Sequence, residues 1–406
     1  MKILFIHRTF PGQFRYLATV LAQNSCNKVV FLTTSEIGDI PGVTKVLYKP
    51  HRNSYISTHP YLKNMEDSVI YGQAAYKTAT QLKKDGFVPD VIYGHSGWGP
   101  MLFMADVFPR VPIICHFEWF YRSHGSSFDF DPESRLTLDN KGEIRVKNTG
   151  ILFDLVQCTK GIVPTEWQFQ QFPREFHPKM EILHEGIHTG IFKPNPNGRL
   201  ILPKLGLNLS NAKEIVTYVA TGMEPLRGFP QFMAAVEKVQ QLRPECHVIV
   251  VGEDRTEYSN QLSNGKTYRE EAMGKYTYDL SRLHFTGRVP ISDYLTILQA
   301  SSVHIYLTYP FILSWSMLEA MACGCLVVGS DTPPVREIIE DTVNGFLVSF
   351  FSPSEIASRV VEVLENREAI NLMKTKARNT ILTKYDLTNL LNRQIRLLET
   401  VISKGV

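Results

Sequence analysis

Residues 304–330 read HIYLTYPFILSWSMLEAMACGCLVVGS. Two short runs rich in branched aliphatic residues, HIYL at 304–307 and CLVVGS at 325–330, bracket a longer segment with Ser314, Ser316 and one acid, Glu319. Short apolar runs separated by a helix-length segment read as strand, helix, strand, and strands without polar alternation belong to parallel sheets covered on both faces. Working outward, EIVTYVAT at 214–221 and HVIVVG at 247–252 add strands of the same kind, and ILFI, VVFL, DVIYGH and PIICHF form an earlier series before residue 120. The alternation therefore occurs twice. The expected fold class is α/β, with two doubly wound domains facing across a cleft at the carboxyl ends of their strands.

The 406 residues are too many for one ordinary core, which agrees with two domains. We expect an N-terminal domain over 1–190, a C-terminal domain over 191–385, and a final helix over 386–406 packed back on the first domain. HTGIFKPNPNGR at 188–199 has the Pro, Asn and Gly of a linker. In the tail, Asp386 is placed to cap a helix whose Leu387, Leu390, Leu391, Ile395, Leu398 and Ile402 share one face.

A hydrophobic content of 44%, 20% charged residues and a net charge of +3 describe a globular protein and give no electrostatic case for nucleic acid. Peripheral contact with an anionic membrane surface stays open, although no helix reads as a basic amphipathic anchor. MKILFIHRTF has too short an apolar run for a signal peptide, so a cytoplasmic location is expected, at the inner face of the membrane if that contact exists. The six cysteines include no C-x-x-C pair, and reduced thiols are expected.

Loops after strands carry the candidate chemistry. Gly12 in RTFPGQFRYL turns the chain into a helix, where a bare backbone N–H can approach a phosphate; a purely structural turn is the commoner use of such a glycine. Arg227 in TGMEPLRGF opens a helix and suits a diphosphate, against the plainer reading of a solvated arginine. A helix starting near Ser314–Ser316 offers free N–H groups and a positive dipole end at Ser314, Ser316 and Met317. Ser316 and Glu319 also match S-x-x-E, so Glu319 either binds a ligand or closes its own helix as a capping box. His116 ends the PIICHF strand in HFEWFYRSHG, beside Glu118 and Arg122. The DFD of Asp129–Asp131 lies in a polar loop, and no metal is expected there. GKT at 265–267 lacks the upstream glycine of a P-loop, position 260 being Asn, and no G-x-G-x-x-G follows a strand.

The set EPLRGF, VVGED, FTGRVPISDYL, SMLEAMACGCLVVGSD and PPVREIIEDTVNGFLV, in that order, resembles the retaining nucleotide-sugar glycosyltransferases of the GT-B fold, in the large group 1, or family four. The first half is similar more loosely, through the FPG turn and the strand ending at His116. The resemblance implies two Rossmann-like domains and a role for Glu319 on the donor ribose, which favours that reading over the capping box. It assigns Arg227 to the donor diphosphate, Arg288 and Val289 to the base, Gly12 to closure over the diphosphate, and His116 to the donor sugar. It implies a UDP-sugar as co-substrate, no cofactor, no metal, and a glycan or lipid-linked acceptor in polysaccharide synthesis. A nucleotide-sugar epimerase and a non-catalytic nucleotide-sugar-binding partner are the rival expectations. Two features depart from the family pattern. Phe311 stands where relatives carry a sugar-binding glutamate, and Gly222 and Thr221 stand where a second basic residue is usual; Arg8 or Arg288 are the expected substitutes.

Overall fold

The computed structural model describes every residue except 56, 197, 367–369 and 406. It divides into a first unit, Met1–Gly186 with Thr388–Val406, and a second unit, Ile187–Leu387. The first holds strands β1 (Lys2–Ile6), β2 (Lys28–Thr33), β3 (Val43–Leu47), β4 (Val91–His95), β5 (Ile113–His116), β6 (Lys160–Val163) and β7 (Met180–Ile182). They form one seven-stranded parallel sheet in the order β3-β2-β1-β4-β5-β6-β7. Strand residues such as Ile3, Leu4, Phe5 and Ile6 are fully buried because helices and loops cover both faces.

The second unit opens with a short hairpin, β8 (Ile201–Leu202) and β9 (Leu207–Asn208). Its six-stranded parallel sheet comprises β10 (Glu214–Gly222), β11 (Cys246–Glu253), β12 (Leu283–Gly287), β13 (Val303–Tyr306), β14 (Leu326–Ser330) and β15 (Phe346–Val348), in the order β12-β11-β10-β13-β14-β15. Both sheets reverse strand order once, between β1 and β4 and between β10 and β13. In open α/β sheets that reversal parts the crossover connections and leaves a crevice at the carboxyl ends of the two central strands. The residues of interest should lie there.

The helix Leu387–Lys404 places Leu390, Leu397, Leu398 and Val401 in the core of the first unit, with Ile3, Phe5, Phe14 and Leu17. Asp386, the residue expected to cap it, accepts a hydrogen bond from the hydroxyl of Thr189. The segment expected to be a linker is packed onto the second unit. Phe192 is buried in its core, Gln299 Nε2 donates to the carbonyl of Lys193 at 2.8 Å, and Arg378 Nη1 donates to that of Phe192 at 3.2 Å. Tertiary contacts have overridden a composition that favours a free loop; Asn197 of that stretch lies outside the described residues.

Candidate active site

In the second unit, β10 runs into a turn that ends at Gly228, whose φ of +67° opens the helix Phe229–Leu242. A Cβ there would meet Leu307 Cβ at 2.4 Å, so only glycine lets the turn close against β13. The closure brings Arg227 to the carboxyl end of β13. Its Nη1 donates to the hydroxyl of Thr308 at 3.0 Å, the carbonyl of Ile312 at 2.9 Å and the hydroxyl of Tyr306 at 3.3 Å. Its Nε and Nη2 make no hydrogen bond among the described residues. One edge of a permanently charged fork is thus fixed and the other is free to take an anion.

The hydroxyl of Tyr306 also accepts from the backbone N–H of Ser314 at 2.7 Å, which ties Arg227 to the start of the helix Trp315–Ala322. The N-cap of that helix is Ser314, whose Oγ accepts from the N–H of Ser316 at 3.4 Å and lies 3.1 Å from Ser316 Oγ. The capping-box expectation for Ser316 and Glu319 is therefore wrong. The helix starts two residues before that box requires, which leaves Glu319 in the second turn. There Glu319 Oε2 accepts from the hydroxyl of Tyr294 at 2.6 Å. Burial pushes the Glu319 carboxyl up to about 7, with the Tyr294 bond opposing. Ser316 and Met317 are buried, as the first turn of a core helix must be, and by position their N–H groups have no carbonyl four residues back within the helix.

A second carboxylate organises the other wall. Glu224 is fully buried, and its Oε2 accepts from the backbone N–H groups of Glu257, Tyr258 and Ser259 at 3.0, 2.8 and 2.8 Å. The loop after β11 is thereby pinned to the Arg227 turn, and the Tyr258 ring lies 5.9 Å from the Arg227 guanidinium carbon and 5.3 Å from the Phe311 ring, edge to face. Phe311 is buried and offers no acceptor at its position. Glu224→Ala leaves three backbone donors without their acceptor and is predicted to cost about 2–3 kcal/mol. Urea denaturation reads the loss, and amide exchange should show protection lost first at residues 257–259. Unchanged protection there would mean that the loop is held by other contacts.

Gly222, one of the two positions where a second basic residue is usual, has the Arg255 carbonyl 2.5 Å from where its Cβ would be. The Arg255 side chain is engaged by Glu253 at 2.7 Å and by Glu257. Of the expected substitutes, Arg288 is exposed just after the edge strand β12, with Val289 packed against the Ile215 cluster. Arg8 belongs to the first unit, where its guanidinium lies 3.4 Å from the centre of the Tyr71 ring and burial lowers its pKa. The expected residues Arg227, Ser314, Ser316, Met317 and Glu319 are brought to one stretch of the second unit, whereas Arg288 and Val289 stand two strands away.

The first unit carries a separate group at its own strand reversal. Parallel pairing sets His95 of β4 opposite His116 of β5, with ring centres 5.6 Å apart. Glu118, two residues on, lies with Oε2 3.4 Å from His95 Nε2, and Glu185 Oε1 lies 3.2 Å from His116 Nε2. Burial raises the Glu185 carboxyl, but His184 and His116 outweigh it and hold the group at about 2. His7, at the end of β1, is lowered to about 3 by burial and then by His95. Gly12, φ +52°, packs on that imidazole: a Cβ would lie 2.7 Å from its Cε1. Asp154, buried, accepts from Ser96 Oγ at 2.7 Å and from the N–H of Gly97 at 3.1 Å, which fixes the loop carrying Trp98. Trp98 stacks on His95 with ring centres 4.0 Å apart. Sequence reasoning picked out His116 but not His7, His95 or Glu185, although His7 and His95 each close or follow a strand that it had recognised.

With this geometry in hand, the comparisons define the class. Solved structures similar over nearly the whole chain include the Anabaena protein HepE in complex with UDP and glucose, at a TM-score of 0.70 and 16% identity, covering 98% of this chain and all of that one. Sucrose-phosphate synthase from Thermosynechococcus elongatus matches at a TM-score of 0.74 and 16% identity over 100% of both chains. These likenesses are of fold, the two-domain α/β GT-B fold. The model for glycosyl transferases group 1 matches residues 206–380, and that for the glycosyl transferase family 4 group matches residues 25–192. The chain belongs to the group 1 glycosyltransferases. Among curated relatives, a glycosyltransferase of Methanocaldococcus jannaschii is 27% identical over 171 residues, 42% of this chain and 41% of that protein. The phosphatidyl-myo-inositol mannosyltransferase of Mycobacterium tuberculosis is 25% identical over 187 residues, 45% of this chain and 46% of that protein. The match thus spans less than half the length of these relatives.

Proposed function

We propose that the protein is a retaining, metal-independent glycosyltransferase that moves a sugar from a nucleoside diphosphate donor, a UDP-sugar such as UDP-glucose, to a glycan or lipid-linked acceptor in polysaccharide synthesis. The observation that carries this reading is Arg227, held by one nitrogen at the strand reversal of the second unit with its other donors free, and joined through Tyr306 to the helix start at Ser314. Breaking the bond from sugar carbon to phosphate oxygen puts negative charge on the diphosphate and positive charge on the sugar ring. Donors fixed before the reaction stabilise that charge without reorganising. The acceptor hydroxyl oxygen bonds to the same sugar carbon on the face the diphosphate leaves, and its proton passes to the departing phosphate oxygen. Glu319 is assigned to the ribose hydroxyls, and Arg288 and Val289 to the base. The roles of His116 and Gly12 rest on the family resemblance alone.

No helix among the described residues is long and apolar enough to cross a membrane. We assign the protein to the cytoplasm, with a peripheral membrane contact if the acceptor is lipid-linked. A thermal-shift screen of UDP, GDP and ADP with their sugars tests the reading. A UDP-sugar at about 100 times its dissociation constant should stabilise by about 2.7 kcal/mol. Silence from every nucleotide would sink the proposal. A donor whose sugar is changed in configuration without any acceptor would favour an epimerase.

A further inference from the structure

The buried group at the strand reversal of the first unit has a property that the proposed transfer chemistry does not use. His95, His116 and Glu118 each offer a ligand atom, and these atoms all lie within 4.8 Å of one another. His95 is 3% exposed and His116 2%, yet among the described residues neither ring nitrogen of His95 nor Nε2 of His116 has a well-aligned hydrogen bond; Glu118 Oε2 at 3.4 Å from His95 Nε2 and Glu185 Oε1 at 3.2 Å from His116 Nε2 lie beside them without aligning as acceptors. Buried imidazole nitrogens left unpaired are costly, and a nearby carboxylate beyond good hydrogen-bond geometry does not remove the cost. We propose that His95, His116 and Glu118 form a binding site for one divalent cation of the zinc type.

Two imidazoles and one carboxylate are a ligand set that zinc accepts, with a fourth position left for water. Bonds of roughly 2.0–2.2 Å in tetrahedral arrangement separate neighbouring ligand atoms by about 3.4 Å. The distance from His95 Nε2 to Glu118 Oε2 is 3.4 Å. The surroundings supply the support that such ligands need. Gln13 Nε2 donates to the other oxygen of Glu118, and Gln13 Oε1 pairs with His7 Nε2 at 2.8 Å. His7 Nδ1 accepts from the backbone N–H of Thr9 at 2.9 Å, so that imidazole is engaged at both nitrogens and stays outside the ligand set. Trp98 fixes the plane of the His95 ring. The Glu118 side chain is 25% exposed, which provides the way in. An ion here would hold His116, making zinc an inhibitor of transfer; that consequence rests on the proposed function, whereas the site does not.

The test is uptake of Zn2+ by chelator-stripped, full-length protein, measured by competition with a chromogenic chelator. We expect one Zn2+ per chain, with affinity lowered at least tenfold in His95→Ala and in Glu118→Gln. His247→Ala should leave this uptake unchanged, because His247 and His284 form a separate pair in the second unit. Circular dichroism checks that each variant is folded, and Glu118→Gln, which conserves shape, stands if His95→Ala is not. Tight Co2+ binding with the intense visible absorption of a tetrahedral site would support the geometry. Absence of stoichiometric uptake by the unaltered protein, or uptake lost in His247→Ala and kept in Glu118→Gln, would overturn the proposal.

Discussion

Arg227→Ala is expected to lower sugar transfer about 10²- to 10³-fold, the usual consequence of removing one donor from a developing oxyanion. The effect should fall mainly on kcat, because the free edge of the guanidinium meets more charge in the transition state than in the bound donor. Stability should fall by only about 1–2 kcal/mol, since the lost bonds to Tyr306, Thr308 and Ile312 leave hydroxyls that can turn to other partners and one carbonyl. Arg227→Lys separates charge from geometry. A lysine keeps the charge but cannot hold the Ile312 carbonyl with one nitrogen while presenting two others, so only partial recovery is predicted. Steady-state kinetics with a UDP-sugar checks both variants. Full activity in Arg227→Ala combined with lower stability would make the residue a strut and not a diphosphate ligand.

Glu319→Gln should separate donor binding from folding. The ribose offers two hydroxyl donors, and glutamine has one acceptor where glutamate has two, so donor affinity is predicted to drop roughly 10- to 100-fold by calorimetry. Stability should move the other way. The folded-state value of about 7 lies above the ordinary 4.5 of a glutamate. A raised acid favours the folded protein fully below pH 4.5, and that contribution disappears as pH climbs through 7. The ligand-free protein should therefore lose on the order of 2–3 kcal/mol between pH 4.5 and 8 at this site, and Glu319→Gln should lack that loss. Urea denaturation at the two pH values measures it. Donor affinity unchanged in the variant would remove Glu319 from the ribose.

Each strand series was readable because runs such as ILFI and HVIVVG are buried on both faces and carry no alternation to confuse the reading. Arg227 was readable for a local reason as well: it precedes a glycine that opens a helix, and Gly228 does have the positive φ that the turn needs. The S-x-x-E match at Ser316 and Glu319 shows the limit of local pattern. Sequence offers two serines, Ser314 and Ser316, that could cap the same helix, and three-residue spacing favours the wrong one. What decides is Tyr306, eight residues before Ser314, whose hydroxyl takes the Ser314 N–H, and Tyr294, on another helix, which takes the Glu319 carboxylate.

By itself, then, the sequence determined the two parallel sheets, the family, the turn that carries Arg227 and the helix that carries Glu319, because periodicity and turn chemistry act over a few residues. Only the tertiary structure decided which side chains meet. His95 lies opposite His116 because β4 pairs with β5, and Arg227 reaches Thr308 because β10 lies beside β13 across a strand reversal. Strand order is set by how whole helices pack over the sheet, a choice made across tens of residues that no short motif encodes.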